Sequence, residues 1–313
     1  MARSRTGNHG RRAARDRMTP GLLWSVIQKA FAGWWNDNVP HMGAALAYYT
    51  LFALAPILIV VAAVGGMVFG AEAVRGEIVG QIGGLVGRDG AQAIQSILES
   101  AAKSSVSIPV TIIGVITFLL GSTGAFLELQ DDLNAIWRVK PRSRGNFLHD
   151  LVMQRLISFG LVLGFAFLLL TSLVVSAALA GAHAYVGHAL PTVTVLWEAV
   201  NAVVSLGVIT LLFAMIYKVV PDAKLKWSDV WVGALVTAWL FTVGKFLIGL
   251  YLGKSSFAST YGAAGSVVVI LVWVYYSSQI ILLGAEFTRA YVERFGPLPP
   301  PVEFATKDPD PKK

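Results

Sequence analysis

The sequence predicts an all-α fold: a membrane protein whose helices cross the bilayer six times. Six apolar runs lie at 43–69, 108–127, 153–181, 193–219, 230–252 and 263–291. About 20 helical residues cross a hydrocarbon core of about 30 Å, and every run meets that length. The stretch at 161–170 is apolar on every side, which favours helices over membrane-spanning strands with alternating residues. The overall composition, 55% hydrophobic and 14% charged, agrees with a chain mostly committed to lipid.

The distribution of Lys and Arg between the runs predicts that both termini face the cytoplasm. Seven basic residues precede the first run, five lie between the second and third, three between the fourth and fifth, and five at the end of the chain. The intervening loops carry three, none and one. Cytoplasmic loops of membrane proteins hold the excess of positive charge. The chain is therefore expected to be a multi-pass membrane protein with both termini in the cytoplasm.

The N-terminal segment divides into a basic tail at 1–18, predicted to be disordered, and an amphipathic helix at 19–36. Thr19 followed by Pro20 is typical of a helix start. Trp24, Trp34 and Trp35 favour a helix lying on the inner leaflet, although packing against the bundle is an equal alternative. The net charge of +7 arises mostly from this tail and from the topology signal, so no nucleic-acid partner is implied. Anionic headgroups are the expected partners of such a tail, unless it is simply solvated.

The predicted transmembrane domain spans 37–295 and has one sizeable extracytoplasmic segment, at 71–106. Its apolar stripes predict two short amphipathic helices, with Gly83, Gly84, Gly87 and Gly90 breaking the middle. Pro56 is expected to kink the first membrane helix as a hinge. The proline-rich stretch after Gly296 predicts that the last helix ends there and that 296–313 forms a disordered tail.

Five short strings are more specific than the apolar pattern around them: AALAYYTLFALAP at 44–56, LQDDLNAIW at 129–137, YKVVPD at 217–222, YGAAGS at 261–266 and GAEFTR at 284–289. Together and in this order they closely resemble the YihY/BrkB family of bacterial inner-membrane proteins, over roughly residues 24–292. The resemblance implies a six-helix protein of the cytoplasmic membrane. Members of that family have been called virulence or serum-resistance factors, transporters and, under an older label, ribonuclease BN.

The ribonuclease label does not fit these residues. A zinc-type nuclease needs clustered His and Asp ligands. Of the five histidines only His183 and His188 are spaced as ligands on one predicted face, and they fall in an outer loop, away from cytoplasmic RNA. The absence of cysteine excludes thiolate metal sites and a Cys nucleophile. We therefore expect neither an enzyme nor a protein that depends on a metal or another cofactor.

Lys245 is the first candidate for a substrate contact, because a charge inside the hydrocarbon costs at least about 2.5 kcal/mol. It lies about 22 Å into its helix, on a count of 1.5 Å per residue. Asn201 and the start of the last helix are expected at a similar level. That start carries Tyr261, Gly262, Gly265 and Ser266, and a glycine-rich helix N-terminus suits an anion or a headgroup. The alternatives are a lysine that extends to the outer headgroups and glycines that only allow close packing.

Four further charged residues, Glu128, Arg155, Glu286 and Arg289, fall near the cytoplasmic ends of their predicted helices. They are interpreted either as structural salt bridges or as a cytoplasmic gate. Asp131, Asp132 and Asn134 are expected to cap and terminate the second membrane helix.

The functional hypothesis is a transporter of a lipid or an amphiphilic anionic substrate. Membrane lipids are the expected partners, and a homo-oligomer is compatible with the sequence. The alternative is a non-transporting membrane scaffold or an envelope-assembly, virulence or serum-resistance factor. A membrane-embedded enzyme acting on lipid ranks last, because no acid, base or metal cluster lies at one depth. No nucleotide-binding phosphate loop is present, so transport would draw on an ion gradient or on a partner protein.

Overall fold

The computed structural model describes residues 20–103, 124–141, 192–254, 265–296, 298–302 and 305–307. Three helices open the chain, α1 (Pro20–Asn36), α2 (Val39–Phe69) and α3 (Ala71–Lys103). A fourth helix, α4, is described over 124–137 and runs into β1 (Val139–Pro141). Helices α5 (Thr192–Val219), α6 (Trp227–Lys254) and α7 (Gly265–Phe295) follow, and β2 (Ala305–Lys307) comes last.

Within these residues three helices are long and apolar enough to cross a membrane. The segments are Ala199–Val219 in α5, Trp227–Ile248 in α6 and Val267–Phe295 in α7. They confirm a mostly helical protein and the predicted runs at 193–219, 230–252 and 263–291. In α2 the part whose side chains are described includes the apolar segment Val39–Ala55. The predicted run at 153–181 and most of the run at 108–127 lie outside the described residues, as does the tail at 1–18.

The last two membrane-length helices, α6 and α7, pack closely because glycines face polar side chains across their contact. A Cβ at Gly233 would overlap Thr288 Oγ1, and a Cβ at Gly244 would overlap the Tyr276 hydroxyl. Lipid tails are as apolar as the side chains of a membrane helix, so the hydrophobic effect does not drive membrane helices together. They associate largely through close packing, which small residues such as glycine allow. These contacts fix the rotation of α7, and with it the direction of its charged C-terminal residues.

One end of the bundle, here called the Asp37 end, gathers the α1–α2 turn, the end of α4, the end of α5, the start of α6 and the end of α7. The largest apolar cluster lies there and includes Val39, Leu133, Tyr217 and Val230, all fully buried. A second cluster joins Val26 and Ala30 of α1 to α7. The amphipathic helix α1 therefore packs against the bundle along one face, while Trp24, Phe31 and Trp35 are exposed on the other.

The C-terminal segment closes the Asp37 end, so the prediction of a disordered tail is wrong for residues 298–302 and 305–307. β2 pairs antiparallel with β1, with Lys140 opposite Thr306. Val302 N donates to Asp222 O at 3.0 Å, and Lys224 N donates to Pro300 O at 2.9 Å. The prolines end the helix as expected, but the extended backbone that follows finds partners on two neighbouring segments.

Two other local predictions differ from the structure. Residues 71–103 form a single helix, not two short ones, since a helix tolerates each of its central glycines at a cost of about 1 kcal/mol. Asn134 does not terminate its helix, which continues to residue 137; its side chain is used in a tertiary contact instead. The helix α2 is continuous through Pro56, whose side chain lies outside the described residues, so its role as a hinge stays a prediction.

Candidate functional site at the Asp37 end

Asp37 is the centre of an ion-pair cluster that joins three separate parts of the chain. Its side chain is only 6% exposed, and it lies in the two-residue turn between α1 and α2. Arg138 Nη2 lies 2.6 Å from Asp37 Oδ1, and Arg289 Nη1 lies 3.5 Å from Asp37 Oδ2. One carboxylate therefore holds the end of α4 and the end of α7 to the α1–α2 turn.

The backbone at this cluster adopts conformations that L-residues rarely use. Asn38 has φ 55° and Arg138 has φ 55°, and these are the two non-glycine residues with positive φ in the described part of the chain. Such left-handed residues cost of order 1 kcal/mol and persist where the surrounding structure fixes them. Asn38 directly follows Asp37 in the chain, and Arg138 is the residue whose side chain pairs with Asp37.

Glu293 and Lys29 extend the cluster along α1 and α7. Arg289 Nε donates to Glu293 Oε1 at 2.9 Å, one helical turn further along α7. Lys29 Nζ lies 2.5 Å from Glu293 Oε2, with the lysine side chain 59% exposed. The ion pair at Lys29 is therefore screened by solvent, whereas the pairs at Asp37 are largely shielded from it.

Glu286 is buried beside this cluster, at 3% exposure. Its carboxyl group interacts with Asp37, Arg289 and Arg138. A Cβ at Gly33 would overlap Glu286 Oε2, so the glycine of α1 makes room for this side chain. Glu286 Oε1 has no hydrogen-bond partner among the described residues. Glu286 Oε1 is therefore a buried acceptor that the other described side chains of the cluster leave unsatisfied.

A second polar network lies between α4 and the loop that connects α5 to α6. Asn134 Nδ2 donates to Asp222 Oδ2 at 2.9 Å, and Asp222 N donates back to Asn134 Oδ1 at 2.8 Å. Gln130 Nε2 donates to the same carboxylate at 3.3 and 3.4 Å. These contacts connect the LQDDLNAIW and YKVVPD strings, which are 88 residues apart at Asn134 and Asp222.

Carboxylates crowd the same stretch of α4. Burial raises the pKa of Asp132 to about 7, and the negative charges of Glu128 and Asp131 add to the effect. Burial likewise raises the pKa of Asp222, although hydrogen bonds from Asn134 and Gln130 oppose the rise. Asp132 Oδ2 is buried without a partner among the described residues. Several carboxyl groups therefore lie close together on this stretch of α4 and beside Asp222.

A cavity of about 280 Å³ adjoins the Asp222 network. Its wall includes Gln130, Lys218 and Asp222, and Val302 of the C-terminal segment closes one side. The amine of Lys218 donates to Leu225 O within that wall. The described residues contain no group of three or more His, Asp or Glu side chains arranged to hold a metal ion.

The residues predicted to contact a substrate lie at the opposite end of α5, α6 and α7, so far as they are described. Lys245 is half-buried near the end of the span Trp227–Ile248, and Asn201 is exposed near the start of Ala199–Val219. No hydrogen bond or ion pair joins Lys245 to a described residue. Gly265 is buried at the start of α7. Tyr261, Gly262 and the side chain of Ser266 lie outside the described residues.

Of the four charged residues predicted to form a gate or salt bridges, Glu286 and Arg289 do meet at one cluster. Arg155 lies outside the described residues, and Glu128 belongs to the acidic stretch of α4 near Asp222. Sequence reasoning missed Asp37 and Glu293 as ion-pair partners and Asp222 as the centre of a network. The strings that carry Asn134 and Asp222 were noticed, whereas nothing in the sequence around Asp37 distinguished it from an ordinary turn residue.

The fold and the site together define a helical membrane protein with membrane-length apolar helices and a polar assembly at one end. The chain belongs to the BrkB family: the family model described as Virulence factor BrkB matches residues 30–305. The predicted family resemblance is thus confirmed. Similar proteins include a UPF0761 membrane protein of Ralstonia nicotianae, 30% identical over 252 residues, which are 80% of this chain and 55% of that protein. Another, from Rhodospirillum centenum, is 30% identical over 285 residues, or 88% of this chain and 60% of that protein.

The chain therefore spans a little over half the length of these relatives. A third relative, from Pseudomonas paraeruginosa, is 27% identical over 80% of the chain and is also named only as a membrane protein. No solved structure matches. The relatives support membrane location and family, and their names assign no activity.

Proposed function

We propose that the protein is a multi-pass inner-membrane transporter of a lipid or another amphiphilic anion, with the Asp37 cluster as its cytoplasmic gate. The observation that carries the proposal is the burial of Asp37 between arginines from α4 and α7. A buried ion pair contributes little net stability compared with apolar packing, because desolvation offsets the attraction. Its presence in an apolar bundle is better explained by a contact that forms and breaks between two arrangements of the helices.

The cargo site is proposed at the other end, around Lys245. Its positive charge suits a phosphate or carboxylate headgroup, and the half-buried position lets a chain of the cargo remain in lipid. Asn201 and the start of α7, with Tyr261, Gly262, Gly265 and Ser266, complete the proposed site. A gate at the Asp37 end and a binding site at the other are what alternating access requires.

The test is movement of a fluorescent anionic lipid in proteoliposomes that contain the whole protein. Wild type should move this lipid faster than protein-free liposomes and faster than it moves a zwitterionic analogue. Asp37→Asn should change the rate at least several-fold, whereas Asp229→Asn, an acid-to-amide change at the start of α6 outside the cluster, should not. A wild-type rate equal to that of protein-free liposomes would refute transport of this cargo class.

The cargo site has a separate test that needs no transport. Mass spectrometry of lipids that co-purify with the protein should show an anionic species enriched over bulk membrane in wild type and depleted in Lys245→Ala. Lys226→Ala, an exposed lysine at the Asp37 end, is the matched control and should retain the enrichment. Bulk-like lipid in all three samples would assign Lys245 to the headgroup region of the membrane instead.

A scaffold function is the second candidate, and the exposed aromatic face of α1 favours it. Trp24, Phe31 and Trp35 are 60%, 56% and 72% exposed while the opposite face of α1 is packed against α7. If this face holds a partner protein, a triple change of these residues to Ser should release a cross-linked partner without altering lipid movement. Loss of lipid movement with no change in cross-linking would exclude this reading.

The orientation of the chain can be measured directly because the sequence contains no cysteine. Single cysteines at Ser228, at the Asp37 end, and at Gln92, an exposed position of α3 beside the start of α7, provide a matched pair. A membrane-impermeant maleimide should label Gln92→Cys in intact cells and Ser228→Cys only after permeabilisation. The reverse pattern would place the Asp37 end outside and would contradict the cytoplasmic gate.

A further inference from the structure

The cavity beside Asp222 lies at the level where two membrane-length segments end. The segment in α5 ends at Val219, the segment in α6 begins at Trp227, and the cavity wall includes residues 218–225 between them. Trp227 and Trp231 are exposed at this level. Tryptophan is enriched where a helix passes through the headgroup region of a bilayer. A cavity at this level lies beside lipid headgroups.

The charged groups of the cavity wall, so far as the structure describes it, are two lysines and one carboxylate: Lys218, Lys224 and Asp222. The carboxylate already accepts hydrogen bonds from Asn134 and Gln130. Neither lysine forms an ion pair with another described residue, and the Lys218 amine donates to a neutral oxygen, Leu225 O. Lys218 also lies in the last turn of α5, where its charge opposes the negative end of the helix dipole. An ammonium group has three donors, so the wall retains N–H groups and positive charge for an anion.

The acidic residues of α4 lie on other sides of that helix or are screened by solvent. Phe126 and Gln130, four residues apart, are the α4 residues in the cavity wall. Glu128 and Asp132 each lie two residues further along, which is roughly 200° around a helix of 3.6 residues per turn. Asp131 interacts with the carboxylate in the wall, but it is exposed, so solvent screens its charge. These residues therefore leave the lysines of the wall available to an anion.

The size of the cavity and the surface beside it indicate which kind of anion fits. Its volume is about 280 Å³. Pockets that hold a whole small molecule are about 300–1,000 Å³, so this cavity suits a headgroup better than a complete lipid. Val219 belongs to the wall and is exposed at the end of the α5 segment, so the wall continues onto an apolar surface that acyl chains can cover. An anion that carries acyl chains matches both parts.

We propose that this cavity binds the phosphate group of an anionic phospholipid in the leaflet at the Asp37 end, with the amines of Lys224 and Lys218 as donors. The bound headgroup joins the loop between α5 and α6 to α4 and to Val302 of the C-terminal segment, which are the other parts of the wall. The site is separate from the cargo site proposed around Lys245, at the other end of α6. It does not rest on the proposed transport, because binding is measured without movement of lipid.

The first experiment follows the thermal unfolding of the whole protein in detergent by tryptophan fluorescence, in wild type and in Lys245→Ala. Because Lys245→Ala removes the proposed cargo site, the response of this variant reports the cavity alone. Dioctanoyl phosphatidylglycerol binds the folded state and should raise the unfolding midpoint in a saturable manner, whereas dioctanoyl phosphatidylcholine should not. Superimposable curves for the two lipids would overturn the proposal. An equal rise with inorganic phosphate would assign the cavity to a free anion and would overturn a lipid as its ligand.

Substitutions in the wall then locate the site. Lys224→Gln removes the charge but keeps the backbone N–H that donates to Pro300 O. It should raise the half-saturating lipid concentration about fivefold, the usual contribution of one lysine beside an anionic lipid. Lys226→Gln, the same change at an exposed position outside the wall, should leave that concentration unchanged.

If Lys224→Gln does not fold, the pair Val219→Glu and Val219→Gln decides the location. The two side chains differ in charge and hardly in size, and only the added carboxylate should repel the headgroup and raise the half-saturating concentration. An unchanged concentration in Lys224→Gln, or equal concentrations in the two Val219 variants, would refute this location.

Discussion

The contact between Asn134 and Asp222 provides the sharpest test of how the Asp37 end is held together. Asn134→Leu keeps the volume of the side chain approximately but removes both the donor at 2.9 Å from Asp222 Oδ2 and the acceptor at 2.8 Å from Asp222 N. Each buried polar group left without a partner costs about 1–3 kcal/mol, and a charged group costs more. Gln130 still donates to the carboxylate, so the expected loss in free energy of unfolding is about 2–6 kcal/mol.

The measurement is equilibrium unfolding of the purified protein in mixed detergent micelles, followed by circular dichroism. Asn36→Leu is the matched control, because the same change at an exposed position of α1 should stay within about 0.5 kcal/mol of wild type. The double variant Asn134→Leu with Asp222→Leu should lose less stability than the sum of the single variants, since the unpartnered carboxylate is gone. An Asn134→Leu protein as stable as the control would refute the reasoning.

Three further outcomes are expected from the same unfolding measurements. Because the raised pKa of Asp132, about 7 against an ordinary 3.8, means that the folded state binds more protons, wild-type stability should fall as pH rises from about 4 to 7. Asp132→Asn should make that fall smaller, by at most about 4 kcal/mol at about 1.4 kcal/mol per pKa unit. Parallel pH profiles of wild type and variant would contradict this expectation. Gly284→Ala should lower the free energy of unfolding by about 1–3 kcal/mol, because its Cβ would overlap the hydroxyl groups of Thr237 and Tyr217. The control Gly207→Ala has open space around the added methyl group and should be neutral or slightly stabilising. Equal effects of the two substitutions would argue against the close contact at Gly284. Deletion of residues 298–313 should lower the unfolding midpoint while membrane insertion persists, because it removes the pairing of β2 with β1. An unchanged midpoint would show that the C-terminal segment is not bound.

The candidate site was predictable only in part. Glu286 and Arg289 were predicted to lie together at one end because they share a helix and a depth, which the apolar pattern sets. Their actual partners were not predictable: Arg289 binds Asp37, 252 residues away, and Glu293 on its own helix. A count along a helix gives depth, but the direction of a side chain depends on how the helix is rotated against its neighbours. Gly233 and Gly244 fix that rotation through contacts with another helix, and such contacts have no local signature.

The sequence by itself determined the class of the protein and its family. It also determined the helices at those membrane-length apolar runs that the structure describes. Hydrophobic length and short motifs are local properties, and local properties can be read along a chain. Only the tertiary structure showed that residues 71–103 form one helix, that Asn134 binds Asp222 instead of ending α4, and that residues 298–307 include a strand paired with β1. Each of these depends on partners distant in the chain, because buried polar groups and extended backbone are stable only where a partner lies in space.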